Sequence, residues 1–369
     1  MQRSADQDAA PPAPSVQIAR ARRTARATAA AYALVVLAVI AVPFARSGYA
    51  VATMVVIGQN ALAALGLSLM IGTAGEVVLA QAAFFGLGAY AAAAASRHGV
   101  DPWLAIVVAA LVVAAVAAVV GWPTLRLRGH YLTLATLGLG VIAKVVFDEA
   151  GALTGGPSGT GDFGALHVGA RALTGDLPAY VVAWLAVGLG AVGLTALRAS
   201  ARGRALRAIA ASETAAAAMG VRVRTRKLEA FVFSAVYASV AGSLYAYYAG
   251  YISPTSFTFE QSVFLVVMVV LGGASTALGP VVGAALFTLV AAALTALAGV
   301  LFPANAQGAA AALQVAAFGL ILVAVVRFMP QGVVGALAER FDRPAERAAN
   351  AAGDTVAAGG AGDGGARRP

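Results

Sequence analysis

The sequence predicts an all-α protein that crosses a membrane about ten times, and three observations support this fold class. Hydrophobic residues make up 60% of the 369 residues and charged residues only 11%, whereas soluble domains average about 25% charged residues. The apolar residues fall into runs of about 20, which is the length of helix that crosses a bilayer. The basic residues concentrate in alternate connections between those runs. A soluble fold is excluded, because too few charged side chains remain to cover its surface.

The ten predicted spans are separated by glycine, proline or charged residues. They are helices rather than barrel strands, because barrel strands alternate apolar and polar residues and the run 105–120 contains no polar residue. In chain order they cover approximately Thr28–Phe44, Ala50–Ile71, Leu79–Ala95, Trp103–Trp122, Tyr131–Phe147, Pro178–Leu197, Ala230–Gly250, Gln261–Leu278, Pro280–Leu301 and Gly308–Phe328.

The basic residues predict the orientation of the spans. With ten spans both termini lie on one side, and 21 of the 25 Lys and Arg residues then fall on that side. Only Arg46, Arg97, Lys144 and Arg171 fall on the other side. Because cytoplasmic connections carry the positive excess, we predict that both termini are cytoplasmic. Topology thereby explains the formal charge of +9, so membrane lipid is an expected partner and nucleic acid is not.

The ends of the chain differ from the middle in composition. Residues 1–27 and 336–369 are rich in Ala, Gly, Pro and charged residues, so we expect disordered cytoplasmic tails around a transmembrane domain of residues 28–335. The first span lacks a convincing small-x-small cleavage site before Tyr49, which predicts a retained helix rather than a signal peptide.

Several site chemistries are excluded by the residues present. The absence of Cys excludes disulfides, thiolate zinc sites and cysteine nucleophiles, and the three His residues are scattered rather than paired. No Gly-Lys-Ser/Thr phosphate loop occurs, and the dinucleotide-like spacing of Gly188, Gly190 and Gly193 lies in mid-span with no strand before it. We therefore predict no catalytic residues, no metal site and no cofactor bound by this chain.

Two glycine-rich interruptions lie roughly two hundred residues apart, at Gly72–Gln81 and Leu271–Pro280. Such paired interruptions indicate an internal repeat with a substrate path near the interface of the two halves. Glu76 in the first interruption permits two interpretations: a solvated residue on a short cytoplasmic turn, or part of a kinked segment that lines the path. Gly279 and Gly283 in the second have the spacing of a helix-packing seam.

The segment Arg198–Glu229 is the only sizeable polar stretch between spans. Ala205–Met219 is rich in helix formers and Gly220 supplies a stop, which predicts one short helix with flanking turns. The segment is either a basic loop that lies against lipid or a helix that docks a soluble partner. Ala215–Ala218 would suit docking, because a surface without bulky side chains fits a groove. On the opposite side, Asp148–Leu177 contains the glycine-rich run 155–161, which cannot be helix and has little to bury. The segment is therefore predicted to be an exposed loop, either a contact for an external partner or a plain connector.

The residues from Gln59 to Gly335 resemble the permease subunits of branched-chain amino acid ABC importers, the LivM-like family. The matching words are LSLMIGTAG at 67–75, AAFFGLGAY at 82–90, LRLRGHYLTLATL at 125–137, TGGPSGTG at 154–161, GRALRAI at 203–209, KLEAF at 227–231, GYISP at 250–254 and VLGG at 270–273. Each word is weak alone, but their order and spacing are specific to the family.

The resemblance implies that residues 198–229 form the coupling loop that fits a cleft in an ATPase subunit. The implied coupling residues are Arg204, Glu213, Ala215, Ala216 and Gly220, and an inserted Thr214 departs from the commoner importer spelling. The resemblance also implies a second related permease, two cytoplasmic ATPases that use ATP and Mg, and a periplasmic or lipid-anchored binding protein. The predicted substrate path residues are Gln59, Asn60, Glu76, Gln81, Phe84 and Tyr90.

The leading hypothesis is therefore the membrane subunit of an importer for leucine, isoleucine, valine or related amino acids or amides. A ribose-type sugar permease or a urea or amide permease is an alternative within the same transporter class. An ion-coupled secondary transporter would need carboxylates within its spans, and Glu76 is the one candidate. An intramembrane enzyme is disfavoured, because no Ser/His, paired-Asp or His-Glu-x-x-His arrangement lies within the spans.

Overall fold

The computed structural model describes residues 48–168, 171–302, 306–328 and 332–334, and these are almost entirely helical. The helices are α1 (Gly48–Leu69), α2 (Gln81–Arg97), α3 (Pro102–Thr124), α4 (His130–Glu149), α5 (Gly151–Thr154), α6 (Asp176–Ala199), α7 (Ala201–Ala211), α8 (Glu213–Ala218), α9 (Val223–Ala249), α10 (Phe259–Gly272), α11 (Gly279–Leu301) and α12 (Ala306–Phe328). Two short strands, β1 (His167–Val168) and β2 (Arg171–Ala172), pair as an antiparallel hairpin.

Within these residues, seven helices are long and apolar enough to cross a membrane: α1, α3, α4, α6, α9, α10 and α11. They coincide with seven of the predicted spans, which confirms an all-α polytopic membrane fold. Helix α2 also matches a predicted span but is only 17 residues long. Helix α12 matches the last predicted span, although the structure does not describe all of its side chains. The predicted span Thr28–Phe44 and both predicted tails lie outside the described residues, so the count of ten stays a prediction.

Both glycine-rich interruptions are present as breaks in helices. Helix α1 widens into a π-helical turn at Met70–Ala74 and ends at Gly75, whose φ of 75° is the left-handed conformation that glycine favours. Helix α10 ends at Gly272, so the predicted span to Leu278 is too long. The reason is Gly273, whose φ of 104° takes the backbone out of the helix.

The core surrounds α1 and α9, the two long helices with the most buried spans. Glycine allows backbones to meet at this centre: a Cβ at Gly88 would collide with Ser239, and one at Gly242 would collide with the Phe85 carbonyl. Close backbone approach of this kind is how helices pack tightly in lipid, where no hydrophobic effect draws them together. Gly279 and Gly283 likewise face backbone carbonyls, of Gly273 and Met268, which confirms the predicted packing seam.

The bundle has two distinct ends. The arginine-rich end is formed by the connections 75–80, 125–129, 200–222 and 273–278. These connections carry six of the fourteen Lys and Arg residues in the described ranges, and four more, Arg198, Arg224, Arg226 and Lys227, lie at the helix ends beside them. The hairpin end is formed by the connections 98–101, 150–175 and 250–258. Contacts hold each end together: Gly75 faces Ala210 at the first, and Thr160 forms a β-bridge with Ile252 at the second.

The connection at the hairpin end is more ordered than predicted. The expectation that the run 155–161 has no helix and little to bury is wrong, because it contains a 3₁₀ turn at Gly156–Ser158 and directly follows α5, and both Gly156 and Thr160 are buried. Thr160 is 8% exposed and Phe163 only 3%. The glycine run buries itself because its positive φ angles, at Gly155 and Gly159, turn the chain back onto the Gly250–Pro254 segment.

Candidate functional site

The arginine-rich end carries a helical projection, residues 201–220, which we call the docking segment. The expectation of one helix over Ala205–Met219 is wrong: Ser212 has extended backbone angles and separates α7 from α8. Ser212 interrupts the run because its hydroxyl accepts a hydrogen bond from the Ala215 amide at 3.3 Å, which caps the start of α8. The break allows the two short helices to point in different directions.

Helix α7 attaches the docking segment to the bundle. Its buried residues Gly203, Leu206 and Ile209 recur at every third position and therefore share one face. A Cβ at Gly203 would collide with the Arg198 carbonyl, so glycine is required for this close approach. Arg204 lies on the exposed side, where its guanidinium donates to the Ala199 carbonyl at 2.9 Å.

Helix α8 presents small side chains outward. Ala215, Ala217 and Ala218 are exposed, whereas Ala216 is buried at 4% exposure. Met219 follows with 85% of its surface exposed, and Gly220 ends the turn with a φ of 82°. The result is a surface of short alanine side chains beside the flexible apolar side chain of Met219. A methionine of this kind can fill an irregular pocket on another protein.

A chain of four charged side chains runs inward from this helix. The Lys227 ammonium donates to Glu76 Oε1 at 2.5 Å and also to Glu213 Oε1. The second oxygen of Glu213 pairs with Arg128 Nε at 3.1 Å. Exposure of these side chains rises outward, from 3% at Lys227 and 10% at Glu76 to 21% at Glu213 and 76% at Arg128. We call these four residues the ion chain.

The two helix breaks meet directly beneath the docking segment. Gly72 lies against the Ala274 carbonyl, where a Cβ would collide with it. Arg198, at the end of α6, joins both breaks, because its guanidinium donates to the Ser68 carbonyl at 3.0 Å and to the Ala274 carbonyl at 2.9 Å. A further bond reaches the Ser275 carbonyl at 3.1 Å. One arginine thus links the end of the first long helix to the connection at the second break.

The predicted coupling residues lie together, and the predicted path residues do not. Arg204, Glu213, Ala215, Ala216 and Gly220 all belong to the docking segment. Glu76 is buried and paired with Lys227, so the alternative of a solvated carboxylate is wrong.

The other predicted path residues are distributed through the bundle. Gln81 is fully buried and donates to the Ala63 carbonyl at 3.1 Å and the Ser234 carbonyl at 3.2 Å, which joins α1, α2 and α9. The Asn60 side chain accepts a hydrogen bond from Gln261 at 3.3 Å. Phe84 packs edge-on against Phe231 with ring centres 5.3 Å apart. Tyr90 packs against Phe147 and Phe257 in an aromatic cluster, at 5.1 and 5.5 Å.

Gln59 alone among them lines a cavity of about 550 Å³ at the hairpin end. The cavity lies between α1, α6, α9 and residues 164–166 and 173–176, and its walls are mainly apolar, with Leu173, Val182 and Leu244 among them. Asp176 and Tyr248 provide polar groups at its rim and are hydrogen-bonded to each other at 3.0 Å. No cluster of three His, Asp or Glu residues suited to a metal ion occurs in the part of the chain that the structure describes.

Sequence reasoning missed two residues of the arginine-rich end, Arg198 and Lys227, as organisers of the site. Lys227 did carry a signal, because it stands one turn before the apolar run of α9. A charge so close to the membrane-embedded part of a helix usually has a partner in the bundle. No comparable sequence signal identifies the carbonyls that Arg198 binds.

Comparisons with known proteins agree with the resemblance given above. The LivM high-affinity branched-chain amino acid transport permeases of Escherichia coli and Salmonella typhimurium are each 34% identical over 284 residues. The match covers 70% and 69% of this chain, and 66% of each relative's own length. A probable ABC transporter permease protein of Sinorhizobium fredii, y4mJ, is 32% identical over 287 residues, which is 73% of this chain and 81% of that protein.

The family profile described as the branched-chain amino acid transport system permease component matches residues 49–326. This range runs from the second residue of α1 into α12 and holds both helix breaks, the docking segment and the ion chain. The apolar helices and the matched relatives make the protein a multi-pass protein of the bacterial inner membrane. The chain therefore belongs to the family of branched-chain amino acid transport permease components.

Proposed function

We propose that the chain is the membrane-spanning subunit of an ATP-driven importer for leucine, isoleucine, valine or a related amino acid or amide. The family and the LivM relatives support this function. ATP and Mg are bound by partner subunits, and this chain binds no cofactor. The complete transporter contains a second related permease, two cytoplasmic ATPases and a periplasmic or lipid-anchored binding protein.

The arginine-rich end is cytoplasmic in this proposal, and the hairpin end faces outward. The distribution of basic residues supports the orientation, because the connections at the first end and the helix ends beside them hold Arg126, Arg128 and the cluster from Arg198 to Lys227. Ten spans, with both termini in the cytoplasm, complete the topology.

The docking segment is the contact for an ATPase subunit, and the surface of α8 is the observation that carries the proposal. Ala215, Ala217 and Ala218 form a low surface that a cleft can enclose, and Met219 supplies apolar area. Arg204 offers a positive charge beside that surface. Glu213 and the buried Ala216 act differently, because both face the bundle and fix the position of α8.

The cavity at the hairpin end is the outward part of the substrate path. Its mainly apolar walls suit a branched side chain, and Gln59 among its lining residues offers an amide to a polar group. A secondary transporter is the weaker proposal, because Glu76, the carboxylate on which it depended, is neutralised by Lys227.

The test of the function places an arginine at the docking surface. In Gly220→Arg, or after deletion of residues 215–218, we expect ATP-driven uptake and co-purification of the ATPases to be lost while the chain stays in the membrane. Gly99→Arg is the matched control, because Gly99 and Gly220 both have positive φ and no neighbouring atom within 4 Å of the point that a Cβ would occupy. Uptake in membrane vesicles that survives Gly220→Arg would contradict the proposal.

A further inference from the structure

The ion chain joins two features that the proposed function treats separately. Glu213 is the first residue of α8, on the docking segment, and Glu76 directly follows the π-helical turn and Gly75 of the first break. Lys227 belongs to neither feature, since it lies near the start of α9. A single ammonium group therefore holds a carboxylate from each of them.

Because Lys227 is buried, its stability depends on the positions of its two carboxylate partners. At 3% exposure, the Lys227 ammonium has almost no water to replace a lost partner. Its charge is neutralised only while a carboxylate stays within bonding distance, so movement of Glu213 changes the force on Glu76 through the shared lysine. Arg128, at the outer end of the chain, is mostly exposed and contributes little of this constraint.

The helix that carries Lys227 moves less easily than the two segments that carry its carboxylate partners. Helix α9 is 27 residues long and packs at the centre of the bundle. The first break contains a π-helical turn, the left-handed Gly75 and the irregular connection 76–80, and none of these has the regular hydrogen bonding of an α-helix. The docking helix α8 has only six residues. Lys227 thus joins two short or irregular segments through one side chain on a long central helix.

We propose that Lys227 is a positioning residue that transmits displacement of the docking helix to the first helix break. The inference rests on the proposed function, because the displacement is supplied by the ATPase that holds α8. When Glu213 moves with α8, Lys227 and Glu76 readjust, and the break at Met70–Gly75 changes its contact with Ala274. The second break is displaced as well, because it lies against the first.

Glu213→Ala is the variant that tests this link most selectively. It removes the connection to the docking helix and leaves the buried Glu76–Lys227 pair intact, so the chain keeps its fold. In the complete complex in proteoliposomes, we expect the ATPases to remain bound and active while the amount of substrate imported per ATP hydrolysed falls about tenfold or more. Arg128→Gln is the matched control, since it removes the other partner of Glu213 and should leave that ratio within about twofold.

A second variant separates positioning from stability. Glu76→Gln combined with Lys227→Met removes a buried charge pair together, which a fold tolerates far better than the loss of one partner. We expect this double variant to assemble with the ATPases and to share the low ratio of import to hydrolysis. An import ratio equal to that of the unmodified complex, in either variant, would overturn the inference. Failure of the unmodified chain to bind ATPases would instead contradict the proposed function.

Discussion

The two ends of the bundle are built from different interactions. At the arginine-rich end, charged side chains hold the structure: the ion chain joins four segments, and Arg198 binds backbone carbonyls of both helix breaks. At the hairpin end, short backbone pairings and aromatic contacts hold the interior, as in the Thr160–Ile252 bridge and the packing of Tyr90 on Phe257, whereas the ion pairs Lys144–Asp148 and His167–Asp101 are partly exposed. The hairpin end also contains the cavity.

This difference indicates which end of the bundle moves and which end binds the solute in the proposed mechanism. Buried ionic contacts are strong only in well-aligned geometry, so the arginine-rich end is suited to switch between discrete arrangements. Apolar walls with a few polar groups are suited to bind a small solute without a large rearrangement. Variants at the two ends should therefore fail in different ways.

The largest expected effect comes from separating the two breaks. Gly72→Val places a branched side chain where the Ala274 carbonyl lies, and we expect about 3 kcal/mol or more of destabilisation because backbone must move. The amount of folded protein in the membrane, measured by detergent extraction and size-exclusion chromatography, should fall about tenfold. Gly299→Val is the control, since no atom lies within 4 Å of its Cβ position. Equal yields of the two variants would show that the breaks do not depend on this contact.

A smaller effect is expected at the hairpin end, where filling the cavity should impair transport without unfolding the chain. Val182→Trp projects an indole into the cavity, and we expect uptake of leucine to fall about fivefold with little change in yield. Leu185→Trp, three residues along α6 and 62% exposed, adds the same side chain outside the cavity. Unchanged uptake in Val182→Trp would remove the cavity from the substrate path.

The smallest effect should come from the outer ion pair at the arginine-rich end. Glu229 pairs with Arg226 at 2.8 Å, but both side chains are about a third exposed, at 33% and 29%. Glu229→Gln should therefore change the free energy of unfolding by less than about 1 kcal/mol and leave uptake unchanged. A loss as large as that of Glu213→Ala would show that charge in general, rather than the ion chain, controls coupling.

The sequence predicted the elements of the fold better than their contacts. Apolar runs and glycine patterns located the seven confirmed spans and both breaks, because a bilayer imposes length and polarity on each segment independently. The division of the docking segment at Ser212 was not predicted, because the alanine-rich sequence favours one continuous helix. The serine cap that interrupts it is a single local hydrogen bond. The partner of Glu76 could not be predicted either, because Lys227 lies 151 residues away and only the packed bundle brings them together.

The location of Met219 tests the central claim most directly. The chain contains no Cys, so Met219→Cys introduces one exposed thiol on the docking segment, and Ala172→Cys introduces one at the hairpin end. With a membrane-impermeant maleimide, the account predicts labelling of the second variant in spheroplasts, and of the first only after the membrane is opened. Labelling of Met219→Cys in intact spheroplasts would place the docking segment outside the cell and contradict the account.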